Sequence, residues 1–500
     1  MSMKFFLRFL GAFALVTVVY ADFISDLTGH HFQVLTPGSS GYAAASASRN
    51  RRFSFEPAAV TFPKSAQDVS TILSLCTKYN HKAVARSGGH GYTANAIGGK
   101  DGSVVVDLSN FKSVTVDSST HIATIGTGSR LGDIALALND NGRALPHGVC
   151  PYVGIGGHSV ELYRHGGYGF TSRKWGLTLD TITALQVVLA NGTIVTASSS
   201  NHPDLFFALR GSSSSFGIVT SIQAKTLPAP SSATIFEYYW DMSAATAASA
   251  FAAFQSFAVE PDLPQEFGAE IVLGAGSSKG RVSFGITGGW YAAADRFHSV
   301  ISPLLARLPK PSSSTITPGS YINSVQLLGE SGHLNTTGIP DSTDTFYAKS
   351  LMTPESAPMS NKSITAFMEY LANQGFGTNT NWFVEVELYG GTNSAINKVP
   401  VSATAFGRRS SMFTIQFYTS APSGKPPFPN AGFSLLDGMV NSIVSNNPPG
   451  WDYGAYANYI DDRLANWQTL YYSTNYPRLR SLKERFDPHD ILSFPHSIEE

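Results

Sequence analysis

Gly-Gly-His occurs twice in this chain, in Arg86-Ser87-Gly88-Gly89-His90 and in Gly156-Gly157-His158, and the second copy stands six residues after Cys150. That pairing constrains the fold more than any other feature. Glycines, lacking a Cβ, let backbone amides approach an anion closely and form a nest for phosphate. A histidine or cysteine beside such a turn offers a nucleophile that could bond a cofactor. Residue chemistry alone reads a phosphate loop with two reactive side chains.

The surrounding chain is globular: 500 residues, 43% of them hydrophobic, can bury a large core, and length points to several domains. A formal charge of -1 and 14% charged residues, with no basic run, argue against nucleic acid or an anionic membrane surface as partner. The expected partner is a small, mostly uncharged molecule, and the expected state a monomer. Lys4 and Arg8 precede an apolar run from Phe9 to Tyr20, and Val19-Tyr20-Ala21 forms a small-residue cleavage signal, so residues 1–21 read as a signal peptide. The run is shorter than the roughly 20 residues that span a bilayer. A secreted, extracellular protein is expected, with a membrane anchor as the competing reading.

Two cysteines are too few for a disulfide framework. Cys76 closes the helical pattern from Val69 and is expected as a buried free thiol, against a rival Cys76 to Cys150 disulfide. Asn191, Asn335 and Asn361 head glycosylation triplets, and no metal-ligand set is assigned. Asn191-Gly192, between the runs Leu185 to Leu189 and Ile194 to Thr196, reads as a tight hairpin turn.

From about Pro57 to Leu227, β-rich runs such as Ser103 to Asp107 alternate with helical ones such as Leu131 to Leu138, which gives an α+β region. Leu227-Pro228-Ala229-Pro230 breaks that pattern. Aromatic-rich sequence follows from Phe236, so the boundaries fall at 22–230, 231–432 and 433–500. A helix is expected from Phe433 to Val444. A second presents Leu479, Leu482 and Phe486 on one stripe before Pro488.

Between Asn381 and Gly391, Trp382, Val384, Val386 and Leu388 alternate with Phe383, Glu385, Glu387 and Tyr389. On a strand the first set is core and the second places two carboxylates roughly 7 Å apart between aromatics. Such a face is either solvated or suited to a sugar, whose C–H groups stack on rings while its hydroxyls donate to acids.

Arg86 to Tyr92, the Cys150 motif, His165-Gly166-Gly167-Tyr168-Gly169-Phe170, Gly176 to Asp180, Phe216 to Thr220 and Asn458-Tyr459-Ile460-Asp461 follow one another along nearly the whole mature chain. In these the sequence resembles the vanillyl-alcohol-oxidase (PCMH-type) flavoproteins, most closely their berberine-bridge-like branch, which includes the fungal gluco- and chito-oligosaccharide oxidases. The resemblance implies a two-part FAD-binding domain, residues 22–230 with a returning segment 433–500, and an inserted α+β substrate domain whose antiparallel sheet is covered by helices. It implies FAD held at its 8α-methyl carbon by His90 and at ring carbon 6 by Cys150. The pyrophosphate would lie on amides of Arg86, Ser87, Gly88, Gly89 and Gly91, with Val153, Gly154, Gly157, His158, Gly217, Ile218 and Val219 as further flavin contacts. Where the family is glycine-rich before Phe216, this chain reads Gly211-Ser212-Ser213-Ser214-Ser215, which weakens a claim on those serines.

Val153 matches a position whose small valine accompanies reactivity with oxygen. Saccharide oxidases of the branch carry Gln and Asp where this chain has Glu385 and Glu387, and the acid supports a catalytic tyrosine matched by Tyr459. The implied reaction is oxidation of a saccharide hemiacetal to a lactone, with oxygen reduced to hydrogen peroxide. Tyr459 takes the hydroxyl proton and Glu387 accepts it in turn. A phenol titrates near pH 10, and a glutamate alone raises that value further, so Tyr459 serves as a base only if neighbours favour its phenolate or its proton is lost in concert with hydride departure. Tyr92, Tyr321, Phe383 and Glu385, with Trp175, are candidates for the substrate wall. The alternatives are an oxidoreductase of a secondary-metabolite alcohol or amine, and a secreted protein that keeps the fold without a working flavin. One departure stands out: six residues, Ser159 to Arg164, separate the second Gly-Gly-His from His165, four more than relatives carry. Glu161 to Arg164 are expected to bulge into solvent or the cleft mouth, as a genuine loop, a gene-model error or a lesion.

Overall fold

A computed structural model describes residues 21–159, 167–329 and 332–500. Most of the expected signal peptide and the expected bulge at Glu161 to Arg164 lie outside these residues.

The first region begins with a four-stranded sheet in the order Gln33–Leu35, Ala59–Phe62, Val104–Asp107, Ala83–Arg86, the last three parallel. The helix Ala66–Tyr79 makes the crossover. Ser65 caps it by accepting from the Asp68 amide, while the Asp68 carboxylate accepts from the Ser65 amide, so two orphan donors are satisfied. Val69, Ile72, Leu73 and Cys76 form its buried stripe at helical spacing. Cys76 is a thiol whose pKa burial pushes up to about 12, and neither it nor Cys150 forms a disulfide, so the rival bridge is absent. An antiparallel sheet follows, in the order Val114–Val116, Ile122–Gly126, Ile218–Lys225, Ile182–Val188, Ile194–Ser198. The last two strands form the expected hairpin, where Gly192 takes a φ of +83° that an L side chain resists.

The seven-stranded sheet that comes next is antiparallel throughout, in the order Ser313–Gly319, Ala233–Ser243, Arg281–Trp290, Phe267–Ala275, Asn381–Leu388, Ser411–Ser420, Phe346–Pro354. Helices Ala244–Ala258, Phe297–Leu305, Asn361–Gln374 and Asn430–Val444 cover one face, burying Phe254, Ile301, Phe367 and Met439 against Phe284, Phe413 and Phe417. The expected α+β class and helix-covered sheet are therefore observed. One boundary moves. The helix expected from Phe433 begins at Asn430 and packs on this sheet rather than on the first region, because its stripe Leu435, Leu436, Met439 and Ile443 finds the aromatic core there. From Ala455 onward, Tyr456, Ile460, Leu479 and Leu482 join the core of the first region.

Two buried cations, which the sequence did not single out, bind these parts together. Arg173, fully buried, donates to the carbonyls of Pro264, Phe267, Gly390 and Thr392, tying the turn after Phe170 to two strands of the large sheet. Lys483, also fully buried, donates to the Ser215 carbonyl at 3.1 Å and pairs with Asp487 at 2.6 Å, which anchors the terminal helix. Such cations persist in a core because hydrogen bonds meet nearly all of their donors. Among the described residues no helix is long and apolar enough to cross a membrane.

Candidate active site

The open face of the seven-stranded sheet looks toward the two glycine motifs. Alternation along Asn381–Leu388 buries Val384, Val386 and Leu388 under the helices and turns Phe383, Glu385 and Glu387 outward, as the strand period requires. These three line a cleft of about 1430 Å³, counted to its open mouth, together with His90, Tyr92, Cys150, Val153, His158 and Tyr459. Residues from four separate stretches of chain thus meet in one hollow.

On the opposite wall, Gly88 and Gly154 press backbone to backbone. A Cβ on either would strike the amide nitrogen of the other, so both positions must lack a side chain. Gly89 has a φ of +67°, which turns the chain back on itself before His90. The Gly156 amide donates to Ser87 Oγ at 3.2 Å, closing the contact between the motifs. A groove of about 470 Å³ runs from His90 along Ser87, Gly88, Gly89, Gly91, Gly154 and Gly157 to Asn95, Ser214 and Phe494. Arg86 leads into it but turns its guanidinium to Asp107 at 2.5 Å, so the side chain is engaged elsewhere.

His90 and Cys150 meet where this groove joins the cleft. His90 Nε2 lies 3.5 Å from Cys150 Sγ and 3.5 Å from an Asp341 oxygen. His158 is held by the backbone of the Cys150 motif, its Nε2 accepting from the Gly148 amide at 3.1 Å.

Across the cleft, Tyr459 donates to Glu387 Oε1 at 2.8 Å. Its ring stacks on Tyr92 at 5.8 Å, and Tyr92 in turn accepts from Gln416 Nε2 at 2.8 Å. Asn50, fully buried, donates to the carbonyls of Tyr92 and Phe346 and so fixes where the Tyr92 loop meets the large sheet. Phe383 stacks on Tyr418 at 4.8 Å, and Tyr418 donates to Asp344 at 2.7 Å. Burial, and secondarily the nearby Glu385 charge, hold the Glu387 carboxyl well above the usual carboxylate range, while the Tyr459 hydrogen bond opposes this. The Tyr459 phenol is likewise pushed far up by burial and then by Glu387.

Several sequence expectations need correction. Tyr321 lies outside the cleft, packed with Phe170, Tyr291 and Val325, and its hydroxyl donates to the Leu145 carbonyl. Trp175 packs edge-on against it rather than against the cleft. Both belong to an apolar cluster that joins two layers. Gly217, Ile218 and Val219 do not line the groove or the cleft. Ile218 is core, and the Val219 carbonyl accepts from Thr127, because the strand they begin is central in its sheet. Ser214, on which the claim was weak, does line the groove. Asn191, Asn335 and Asn361 are all exposed.

Sequence reasoning missed Glu270, Arg49, Asp344, Gln416, Tyr418 and Tyr456, all of which line the cleft. Alternation offered one signal: Thr414, Gln416 and Tyr418 interleave with Phe413, Ile415 and Phe417 as plainly as the Glu385 strand does. Nothing local announces that Glu270 stands directly opposite Glu387.

Comparison with known proteins gives the same assignment. Residues 57–198 match a family model described as FAD binding domain, and residues 455–499 one described as berberine and berberine like. The chain is 35% identical to a xylooligosaccharide oxidase of Thermothelomyces thermophilus over 90% of its length and 88% of that protein's. It is 32% identical to a chitooligosaccharide oxidase of Gibberella zeae over 92% of its own length and 91% of the relative's. The solved glucooligosaccharide oxidase of Acremonium strictum, which carries a 6-S-cysteinyl, 8α-N1-histidyl FAD, superposes with a TM-score of 0.87 at 29% identity, covering 95% of this chain and 99% of that one.

The residues present fit FAD. Paired glycine motifs pack backbone to backbone beside an open groove, their amides suit a pyrophosphate, and a histidine and a cysteine stand together where the groove opens into the cleft. The chain belongs to the berberine-like family of FAD-linked oxidoreductases.

Proposed function

We propose that the protein is a secreted oxidase that converts the anomeric hemiacetal of a saccharide to a lactone and passes the two electrons to oxygen, yielding hydrogen peroxide. The observation that carries this reading is the Tyr459 hydroxyl set 2.8 Å from Glu387 in the cleft that also holds His90 and Cys150. The names of the relatives, oxidases of xylo- and chitooligosaccharides, support a saccharide. The expected signal peptide and the exposed sequons support secretion.

Bound FAD supplies the hydride acceptor, held by one bond each from His90 and Cys150. Tyr459 takes the anomeric hydroxyl proton as the C–H bond breaks and passes its own proton to Glu387 Oε1 along the existing hydrogen bond. Phe383 and Tyr418 offer stacked rings to the C–H face of a sugar, and the open cleft admits further units of an oligomer. The holoenzyme, mixed without air with a panel of reducing mono- and oligosaccharides, should lose its yellow absorbance and regain it on aeration with release of peroxide. Bleaching by alcohols or amines alone would overturn the saccharide assignment.

A pH dependence follows from the relay. Glu387 must be ionised to accept a proton, and its carboxyl is held above the usual range, so kcat should be low in acid and rise with pH as Glu387 loses its proton. Tyr168 and Tyr456 beside it stay neutral, because burial pushes both phenols up. Glu385→Gln removes the like charge that raises Glu387, so the rising limb of kcat against pH should move to lower pH. A limb that stays in place or moves to higher pH would exclude the relay.

A further inference from the structure

The face of the seven-stranded sheet that lines the cleft continues beyond it. Strand register carries one row of residues straight across: Gln416 pairs with Glu385, Glu385 with Val272, Val272 with Gly285, and Gly285 with Tyr239. Residues directly opposite one another in an antiparallel sheet point to the same side. Tyr239 therefore shares the face that carries Glu385 into the cleft. Three strand spacings separate the two, a span of about 14 Å.

Tyr239 leans over the neighbouring strand. A Cβ on Gly285 would sit 3.0 Å and 3.2 Å from two of its ring carbons, so the missing side chain is what lets the ring settle there. The ring still leaves Tyr239 41% exposed. Val272, Gly274, Ser283 and Thr287, on the same face between this ring and the cleft, are only half-buried, so the row is not closed over. The surroundings of the ring are polar. Glu237 and Asp241 flank it two residues away on its own strand, and Ser313 stands opposite on the edge strand. An aromatic face bordered by acids and hydroxyls suits a sugar unit, whose C–H groups stack while its hydroxyls hydrogen-bond.

We infer that Tyr239 is a distal sugar-binding position, on which a long oligosaccharide held by its reducing end beside Tyr459 lays a unit several units from that end. The inference rests on the saccharide-oxidase reading above. A dimer seated between Tyr459 and Phe383 is too short to cross the intervening strands, whereas a hexamer reaches Tyr239. A contact so far from the reacting carbon is the same in ground and transition states, so it lowers KM for long chains and leaves kcat alone.

The test uses the flavin-loaded enzyme with β-linked dimers and hexamers of xylose, glucose and N-acetylglucosamine. For whichever sugar reduces the flavin, wild type should show a lower KM for the hexamer than for the dimer. Tyr239→Ala should raise the hexamer KM roughly three- to tenfold, the scale of one aromatic contact, and leave kcat and the dimer KM as they were. Tyr239→Phe keeps the ring and should keep the hexamer KM near wild type. Should Tyr239→Ala lose its flavin, Tyr239→Leu, which keeps apolar cover over Gly285, takes its place. Equal KM for the two lengths in wild type, or an unchanged hexamer KM in the variant, would overturn the inference and leave the saccharide-oxidase reading standing. So would a loss shared equally by dimer and hexamer, as a purely structural role or a severed protein contact would give. Failure of every sugar to reduce the flavin would overturn both.

Discussion

Tyr459→Phe should lower the rate of anaerobic flavin reduction by roughly 10² to 10⁴, the range that a positioned general base supplies. The ring should stay where it is, because its packing against Tyr92 at 5.8 Å and Tyr456 at 5.3 Å uses no hydroxyl. Flavin content and KM should therefore change little. Glu387 loses the hydrogen bond that favours its charged form, so its carboxyl should move further up and any residual activity should need higher pH. Stopped-flow reduction with saturating sugar measures the effect. A variant as fast as wild type would remove Tyr459 from the chemistry.

Replacing both His90 and Cys150 by Ala should abolish covalent flavin altogether, whereas either single replacement should keep it. The two side chains stand 3.5 Å apart, within reach of one ring system, and each lies in a turn shaped by glycines. Acid precipitation reads the result directly: yellow pellet for wild type and both single variants, yellow supernatant for the double. Release of flavin from one single variant would show that only one bond exists.

The two tether positions were legible because the signal is local. Gly88, Gly89 and His90 adjoin in sequence, as do Gly154 to His158, and a tight turn is specified by the residues that make it. The same holds for Phe383, Glu385 and Glu387, whose shared face follows from the strand period alone. Tyr321 was misplaced for the opposite reason. An aromatic residue at a helix start suits a cavity wall or a layer contact equally, and packing against Phe170 and Tyr291 settled the matter. Ile218 and Val219 follow a glycine, which suggests a loop at a ligand, yet they enter a central strand whose sides are already paired.

The sequence by itself determined the glycine turns, the nucleophiles beside them, the α+β class and the outward acids of one strand, since each depends on neighbours a few residues away. The pairing of Tyr459 with Glu387, 72 residues apart, came from the resemblance and not from any local pattern, and only the tertiary structure decided that Glu270 faces Glu387 on the neighbouring strand and that Asn50 and Arg173 hold the halves in place. Register and layer contacts follow from which apolar faces bury one another over the whole chain, and a slip of one residue would turn every acid of the cleft into the core.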